Sequence, residues 1–535
     1  MSQVEVKRKQ IQAVLSILGA VTWLVLGRLI GYNGIAYLGA AVEGFCLFEL
    51  LLADKVPDAL GRLVRSRNLK GQFKNAAKIR SSILISQSAL GALGGVLLFF
   101  LAQPLAENVF RMPYGMLALR ILAPALVLRV ITGIFLGYFQ GNGNQMPTVV
   151  VYVLRHLMYL GLGVLFVGLF QEYGEKVKLL LLNDSLPSMY GAAGMATAVA
   201  VTESFMLIFA VLIYAGSRRS RKNQEEGLKR TEDFGSAVGG FYGMMAPSVL
   251  IAVLFRMPIW LGLILYQRNV ADIYLSAWDW GKYYGGYLVL CSIPVLLGQA
   301  LLHPLAARTA AMVKKGEMHY AGKLLGAAFH WGLTYPLLIS VFLATMATQV
   351  SCTLAVSGEE SQLVAEMLRC GSTIVFLAIL VSMLVWVLMY MGKTNLVIGG
   401  GGIYVIVFAV ITTFVFRLPE PGIKGLVYAG IAALAALALL FTIYMFKAFR
   451  VKIDFISWFG IPVAAALCCG IICYLLSAHA TKYLGYGVTM LLGLVISAVV
   501  YTLILLFFRS FGKQELEVIP GGKILNLLKT TLNIV

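Results

Sequence analysis

Between residues 11 and 508 the chain is an almost unbroken series of apolar runs, each about 20 residues or longer and separated by short polar pieces. A helix needs about 20 apolar residues to cross the hydrocarbon core of a bilayer. The runs fall near 11–32, 34–54, 80–102, 116–138, 148–170, 190–215, 236–266, 283–303, 323–347, 367–391, 399–416, 423–446, 456–478 and 486–508. Composition agrees: 60% of residues are hydrophobic and 13% charged, against roughly 45–50% and about 25% in soluble domains. A soluble enzyme of this length is excluded. Continuous apolar runs also exclude an outer-membrane barrel, whose strands alternate polar and apolar residues. The expected fold class is an all-α membrane protein of about fourteen transmembrane helices.

The excess of basic residues, +19 overall, follows the loops. With the N-terminus inside, roughly 29 Lys and Arg fall on the inner side and about 8 on the outer, and this bias orients the chain. Both termini are therefore expected in the cytoplasm, and the charge reads as topology rather than as a nucleic-acid surface. The first run, preceded by Lys7, Arg8 and Lys9, lacks a small-residue cleavage site and reads as an anchor rather than a signal peptide.

An internal repeat divides the chain. KGQFKNAAK at 70–78 recurs 245 positions later as KGEMHYAGK at 315–323, keeping Lys70/Lys315, Gly71/Gly316, Ala76/Ala321 and Lys78/Lys323 in register. A weaker echo pairs Gly141 and Asn144 with Gly392 and Asn395. The expected organisation is an N-lobe of helices one to six at 1–216, a basic cytoplasmic linker at 217–235, and a C-lobe of helices seven to twelve at 236–446. Helices thirteen and fourteen at 447–508 and a cytoplasmic tail at 509–535 follow. An even number of spans per lobe relates the lobes by an axis along the membrane normal and leaves a central cavity between them.

Soluble-enzyme chemistry has no foothold. Gly392-Lys393-Thr394 lacks the upstream glycine of a P-loop, and Gly399 to Gly402 reads as close packing or a flexible helix entry. The five histidines and seven cysteines show neither metal nor triad spacing. Cys352 and Cys370 flank one expected outer loop within reach of a disulfide, although buried thiols are the plainer reading. The chain is expected to be a transporter rather than an enzyme, with no cofactor or metal, and to act as a monomer.

Ionisable groups inside the spans carry the functional signal, because each is costly in hydrocarbon unless it faces protein, water or a partner. Arg28, Arg120 and Arg369 lie near expected outer ends, where a long side chain can snorkel to the interface. Arg129, Arg155 and Arg256 lie deeper and are the candidate substrate-binding residues of a hydrated cavity. Helix two also carries Glu43 and Glu49, and helix six Glu203. Glu43 and Glu203, near mid-membrane, have two roles open to them: neutralising the arginines, or binding a coupling ion. Deep cations outnumbering acids favour an anionic substrate, since guanidinium forks match phosphate oxygens.

Three stretches resemble a known family. LRILAPALVLRVITGIFLGYFQGNGNQMPTVVVYVLRHLMYL at 119–160, with G-Y-F-Q-G-x-x-N-x-x-P-T at Gly137–Thr148, is similar to the fourth and fifth helices of bacterial polysaccharide-biosynthesis exporters of the stage V sporulation type. HPLAARTAAMVKKGEMHYAGKLL at 303–325 resembles the segment after that family's eighth helix, and FGKQELEVIPGGKILNLL at 511–528 its terminus. The first two helices depart at Ile30–Ala36 and Ala53–Ala59, so the candidate residues rest on span depth. The resemblance, to the multidrug/oligosaccharidyl-lipid/polysaccharide exporter superfamily, implies two six-helix lobes and alternating access in a bacterial plasma membrane. It also implies an anionic polyprenyl-diphosphate-linked saccharide as cargo, such as lipid II, flipped from the inner to the outer leaflet. H+, Na+ or the membrane potential are the candidate driving forces. A multidrug or metabolite cation antiporter of the same superfamily is the alternative.

Overall fold

The computed structural model describes residues 3–217, 232–355, 361–418, 422–449, 451 and 454–531, and these are helical or in short connections, with no strand among them. Most of the expected linker, with Ser220 inside it, lies outside the described residues. Among the described residues, thirteen elements are long and apolar enough to cross a membrane. The first, Glu5–Asn68, holds two of the fourteen expected spans: α1 (Gln3–Leu52) is broken at Gly31, whose φ of 67° and ψ of 178° no continuous helix accommodates. Helix α2 (Val56–Asn68) follows with Pro57 in its first turn.

The next helices are α3 (Phe73–Pro104), α4 (Met116–Gly141), α5 (Met146–Leu181), α6 (Leu186–Gly216), α7 (Phe234–Asn269) and α8 (Ile273–Gly281). After a π-helical stretch at Lys282–Leu288 come α9 (Val289–Lys314), α10 (Met318–Thr345), α11 (Ala347–Leu354), α12 (Ser361–Gly371), α13 (Thr373–Tyr390), α14 (Thr394–Val415), α15 (Lys424–Phe449), α16 (Ile461–His479) and α17 (Thr481–Phe507). Two short tail helices, α18 (Lys513–Leu516) and α19 (Gly522–Thr531), end the described chain.

Packing divides the chain into two compact units, Val21–Gly281 and Met1–Ala20 with Lys282–Val535. This boundary differs from the repeat boundary read in the sequence: α7 packs with the helices before it, and the first residues of α1 pack with the second half. Sequence similarity follows duplication of the chain, whereas packing follows whichever apolar face a helix finds.

In the first unit α4 is the most enclosed helix, and the Gly137–Thr148 motif explains its seat. A Cβ at Gly137 would stand 2.9 Å from the Pro57 carbonyl oxygen, and one at Gly141 would stand 2.5 Å from Val64 Cβ. The two glycines therefore let the end of α4 cross α2 almost backbone to backbone. Asn68 Nδ2 donates to Asn142 Oδ1 at 2.7 Å, the buried Gln140 donates to Thr148 at 3.2 Å, and Asn144 Oδ1 accepts from the Met146 N–H at 3.2 Å. The motif is a crossing, a turn and a helix start in sequence.

The repeated segments share one local geometry. Gly71 and Gly316 both have positive φ, 69° and 83°, and α3 and α10 begin two residues later at Phe73 and Met318, the same 245-residue offset. The weaker echo is shifted by two residues: Gly392 (φ 81°) matches Gly143 (φ 86°), whereas Gly141 is helical. A turn is defined by its left-handed residue, so conformation corrects the pairing that letters suggested.

In the second unit α10 is the buried helix, and the tail folds back on it. The His330 ring stacks between Trp458 and Phe511, with centroids at 5.4 and 4.3 Å, while its nitrogens meet Glu515 Oε2 at 3.3 Å, the Ser457 carbonyl at 3.1 Å and Ser510 Oγ at 3.2 Å. All seven cysteines are free. Cys352 Sγ lies 3.1 Å from Ser361 Oγ, so the bridge to Cys370 that spacing allowed is not formed. Ser361, expected in a loop, opens α12 and is buried.

Candidate substrate site

The deep ionisable residues of the first unit meet in two clusters threaded by the second half of α1. Arg129 lies midway along α4, Arg155 and Tyr159 lie one turn apart on α5, and Glu203 lies on α6. Glu203 has no solvent exposure and accepts from four donors. Arg129 reaches its Oε1 through Nε at 3.1 Å and Nη2 at 2.7 Å, Tyr159 donates to the same oxygen at 2.6 Å, and Arg155 Nη2 donates to Oε2 at 2.9 Å. Arg129 also bonds Glu49 of α1 and the Tyr159 hydroxyl, and its guanidinium lies 5.2 Å from the Phe45 ring centroid. Two arginines thus face two carboxylates.

The second cluster is one pair. Arg256 of α7 holds both oxygens of Glu43 in a fork, with Nε at 2.9 Å from Oε2 and Nη2 on Oε1. Glu43, like Glu203, is wholly buried. Buried carboxylates persist as anions only when paired and hydrogen-bonded, so these contacts explain how six ionisable side chains fit within apolar helices.

Exposure is unequal, and this decides which contacts can exchange. Glu43 and Glu203 are 0% exposed, Arg155 12% and Arg129 15%, but Glu49 is 23% and Arg256 31%. The exposed edge of each cluster is therefore Glu49 beside Arg129, and Arg256 itself. Arg155 Nε is buried with no acceptor among the described residues, leaving one guanidinium donor unmatched.

All five candidate residues read from the sequence thus make ion pairs, and the structure brings Arg129, Arg155 and Glu203 into one network and Arg256 and Glu43 into another. All five lie within Val21–Gly281. A ligand touching the three arginines would consequently sit on one compact unit, even though Arg256 comes from the second repeat half. Tyr159 was not singled out from sequence. Its signal was present, since it stands four residues after Arg155, on the same helical face. Glu49 stood in the same helix as Glu43, and its role shows only through Arg129. The shallow arginines behave differently: Arg369 Nη2 donates to Thr348 at 2.7 Å in an exposed contact, and Arg120 makes a long 3.5 Å contact to Gln103 beside the Phe99 ring. No group of His, Cys, Asp and Glu able to hold a metal occurs among the described residues.

Comparison with known proteins gives the architecture a context. No family model matches the chain. It is 22% identical over 525 residues, 95% of each chain, to "Stage V sporulation protein B" of Bacillus subtilis (strain 168). Among solved structures, "Lipid II flippase MurJ, inward closed conformation" superposes with a TM-score of 0.63 at 12% identity, covering 93% of this chain and 98% of that one. An inward-facing multidrug resistance MATE family transporter of the MOP superfamily superposes at 0.59 and 12% identity, covering 83% and 96%. The chain has the fold of these transporters. It is a multi-pass helical membrane protein resembling the multidrug/oligosaccharidyl-lipid/polysaccharide exporter superfamily.

Proposed function

We propose that this protein is a flippase that carries a polyprenyl-diphosphate-linked saccharide from the inner to the outer leaflet of a bacterial plasma membrane by alternating access, with both termini cytoplasmic. The observation that carries the reading is the buried arginine network, in which Arg155 Nε lacks an acceptor and Arg129 is bonded to the partly exposed Glu49. A diphosphate needs several directed donors once it leaves water. Its oxygens can take the place of Glu49 at Arg129 and satisfy Arg155 Nε, while Glu203 stays in place and holds both guanidinium groups in position. The fork of Arg256 on Glu43 offers a second exchangeable donor at its exposed edge. The polyprenyl tail remains in lipid throughout, so only the head group needs the polar path.

The likeness to a lipid II flippase over 93% of the chain supports this cargo class. A cation antiporter is the second reading, because the fold is shared with multidrug transporters. The pairing weighs against it: each deep carboxylate of the first unit already holds an arginine, so a cationic drug would have to displace a guanidinium.

The test is reconstitution of the purified chain in liposomes with fluorescent lipid-linked saccharides and a membrane-impermeant quencher, scoring transfer between leaflets. Replacing Arg129, Arg155 and Arg256 together by Ala should remove protein-dependent transfer, and Lys at each should retain a fraction because it keeps charge but loses the fork. Full transfer by the triple Ala variant, with wild-type expression, refutes the cationic path.

A further inference from the structure

The second unit contains an ionisable side chain that the arginine network does not use. His303 of α9 is 3% exposed, and Nε2 lies 2.5 Å from the Tyr390 hydroxyl of α13. Its ring meets Trp386 edge to face, with centroids 4.9 Å apart. Nδ1 is buried and has no hydrogen-bond partner among the described residues. One turn earlier on α9, Gln299 Nε2 donates to Ser382 Oγ at 2.8 Å, and Gln10 of α1 donates to the Ala300 carbonyl at 3.1 Å. Gln299 and His303 are spaced by four, as are Ser382, Trp386 and Tyr390, so polar groups form a ladder along the α9–α13 seam.

A structural polar ladder would be expected to satisfy all its members, as Gln299 and Ser382 do. His303 does not. Its ring carries one bonded nitrogen and one idle nitrogen, in a span where an unsatisfied polar atom costs free energy. We propose that His303 is a proton-binding site that couples proton movement to the conformational cycle. This rests on the transporter reading above but not on the identity of its cargo.

The chemistry is a simple proton transfer. The free lone pair of neutral imidazole takes a proton from water on one side of the membrane, giving imidazolium, and returns the same proton to water on the other. Either starting tautomer serves. If Nε2–H donates to Tyr390, the proton adds at Nδ1; if Nε2 accepts from Tyr390, the proton adds there and the hydroxyl turns to accept. The groups facing His303 are Tyr390 and Trp386 of α13 and, electrostatically, Lys9 of α1. In the packed seam Nδ1 has no polar group among the described residues to share a proton with, whereas a state in which α9 and α13 part would bring water to the ring and let it take the proton. A ligand shifts a conformational equilibrium by its differential affinity for the two states, and the proton has one here.

Trp386 supplies a readout independent of any cargo, since an imidazolium quenches an adjacent indole. The full-length protein in nanodiscs is titrated while tryptophan emission is recorded, and the Trp386→Phe variant isolates the Trp386 component by difference. That component should fall with pH along a one-proton curve, be flat in His303→Gln, and move its midpoint in Tyr390→Phe. In liposomes carrying fluorescent lipid II, an imposed proton gradient should change the wild-type transfer rate several-fold, and His303→Gln should show no gradient response. An unchanged titration in His303→Gln, or an intact gradient response, overturns the proposal. A His303-dependent titration in a wild-type protein that moves no lipid II under any gradient supports the proton site and instead rejects that cargo.

Discussion

Replacing Glu203 by Gln tests the arginine network most directly, because that carboxylate is the hub. Its four hydrogen bonds, from two arginines and Tyr159, all end on a carboxylate with no exposure, and Gln keeps the shape while removing the charge. Arg129 then has only Glu49, and Arg155 loses its one ionic partner, leaving a net buried positive charge. Removing one partner of a buried pair costs about 3–5 kcal/mol. With roughly 2 °C lost per kcal/mol for a cooperative unit of this size, apparent melting should fall by about 6–10 °C. The assay is thermal unfolding in detergent, with Glu49→Gln as the internal comparison. Glu49 is partly exposed and Arg129 keeps Glu203, so that change should cost no more than about 1 kcal/mol. Combining Glu203→Gln with Arg155→Met removes the stranded cation and should recover part of the loss, giving a coupling of about 1–3 kcal/mol. A Glu203→Gln protein melting within about 2 °C of wild type, or a Glu49→Gln protein equally damaged, would refute the hub assignment. Loss of gradient-driven transport without loss of stability would instead give Glu203 the coupling role.

Other consequences are open to single experiments. Gly137→Val places a side chain against the Pro57 carbonyl and should destabilise the α2–α4 crossing by about 1–3 kcal/mol, read as lowered thermal stability. Arg369→Ala, removing an exposed contact to Thr348, should leave lipid-saccharide transfer within about two-fold of wild type; a loss matching that of Arg129→Ala would contradict the depth argument. His330→Ala empties the site between Trp458 and Phe511 and should free the tail to proteases near residues 510–516, as limited digestion and mass spectrometry would show. For orientation, a cysteine at Asp184 should react with an impermeant maleimide from outside intact cells, and one at Asn142 should not; the reverse would invert the topology.

The spans were legible because each is a local property. A run such as 373–390 must satisfy its backbone within itself in lipid, so hydropathy alone locates the helix. The exceptions are instructive. The first two spans are one broken helix because Gly31 bends the backbone without any polar loop to mark it. The shared geometry of the second turn belongs to Gly143 and Gly392, which letters alone misaligned by two residues. The Gly137–Thr148 motif was visible as a resemblance, but its packing role required knowing that α2 lies against it.

The sequence by itself determined that this chain is a helical membrane protein, where its helices run, and that Arg129, Arg155, Arg256, Glu43 and Glu203 had to face protein, water or a partner rather than lipid. Burial energy in hydrocarbon depends on residue type and depth, both of which can be read in one dimension. Only the tertiary structure decided that Glu203 joins Arg129 to Arg155, that Glu43 holds Arg256, and that Tyr159 and Glu49 complete the first cluster. It also decided that all three arginines share one compact unit, and that His303 is left with an idle nitrogen. Those are facts of contact between residues up to 213 positions apart, and hydropathy carries no record of which helix face meets which.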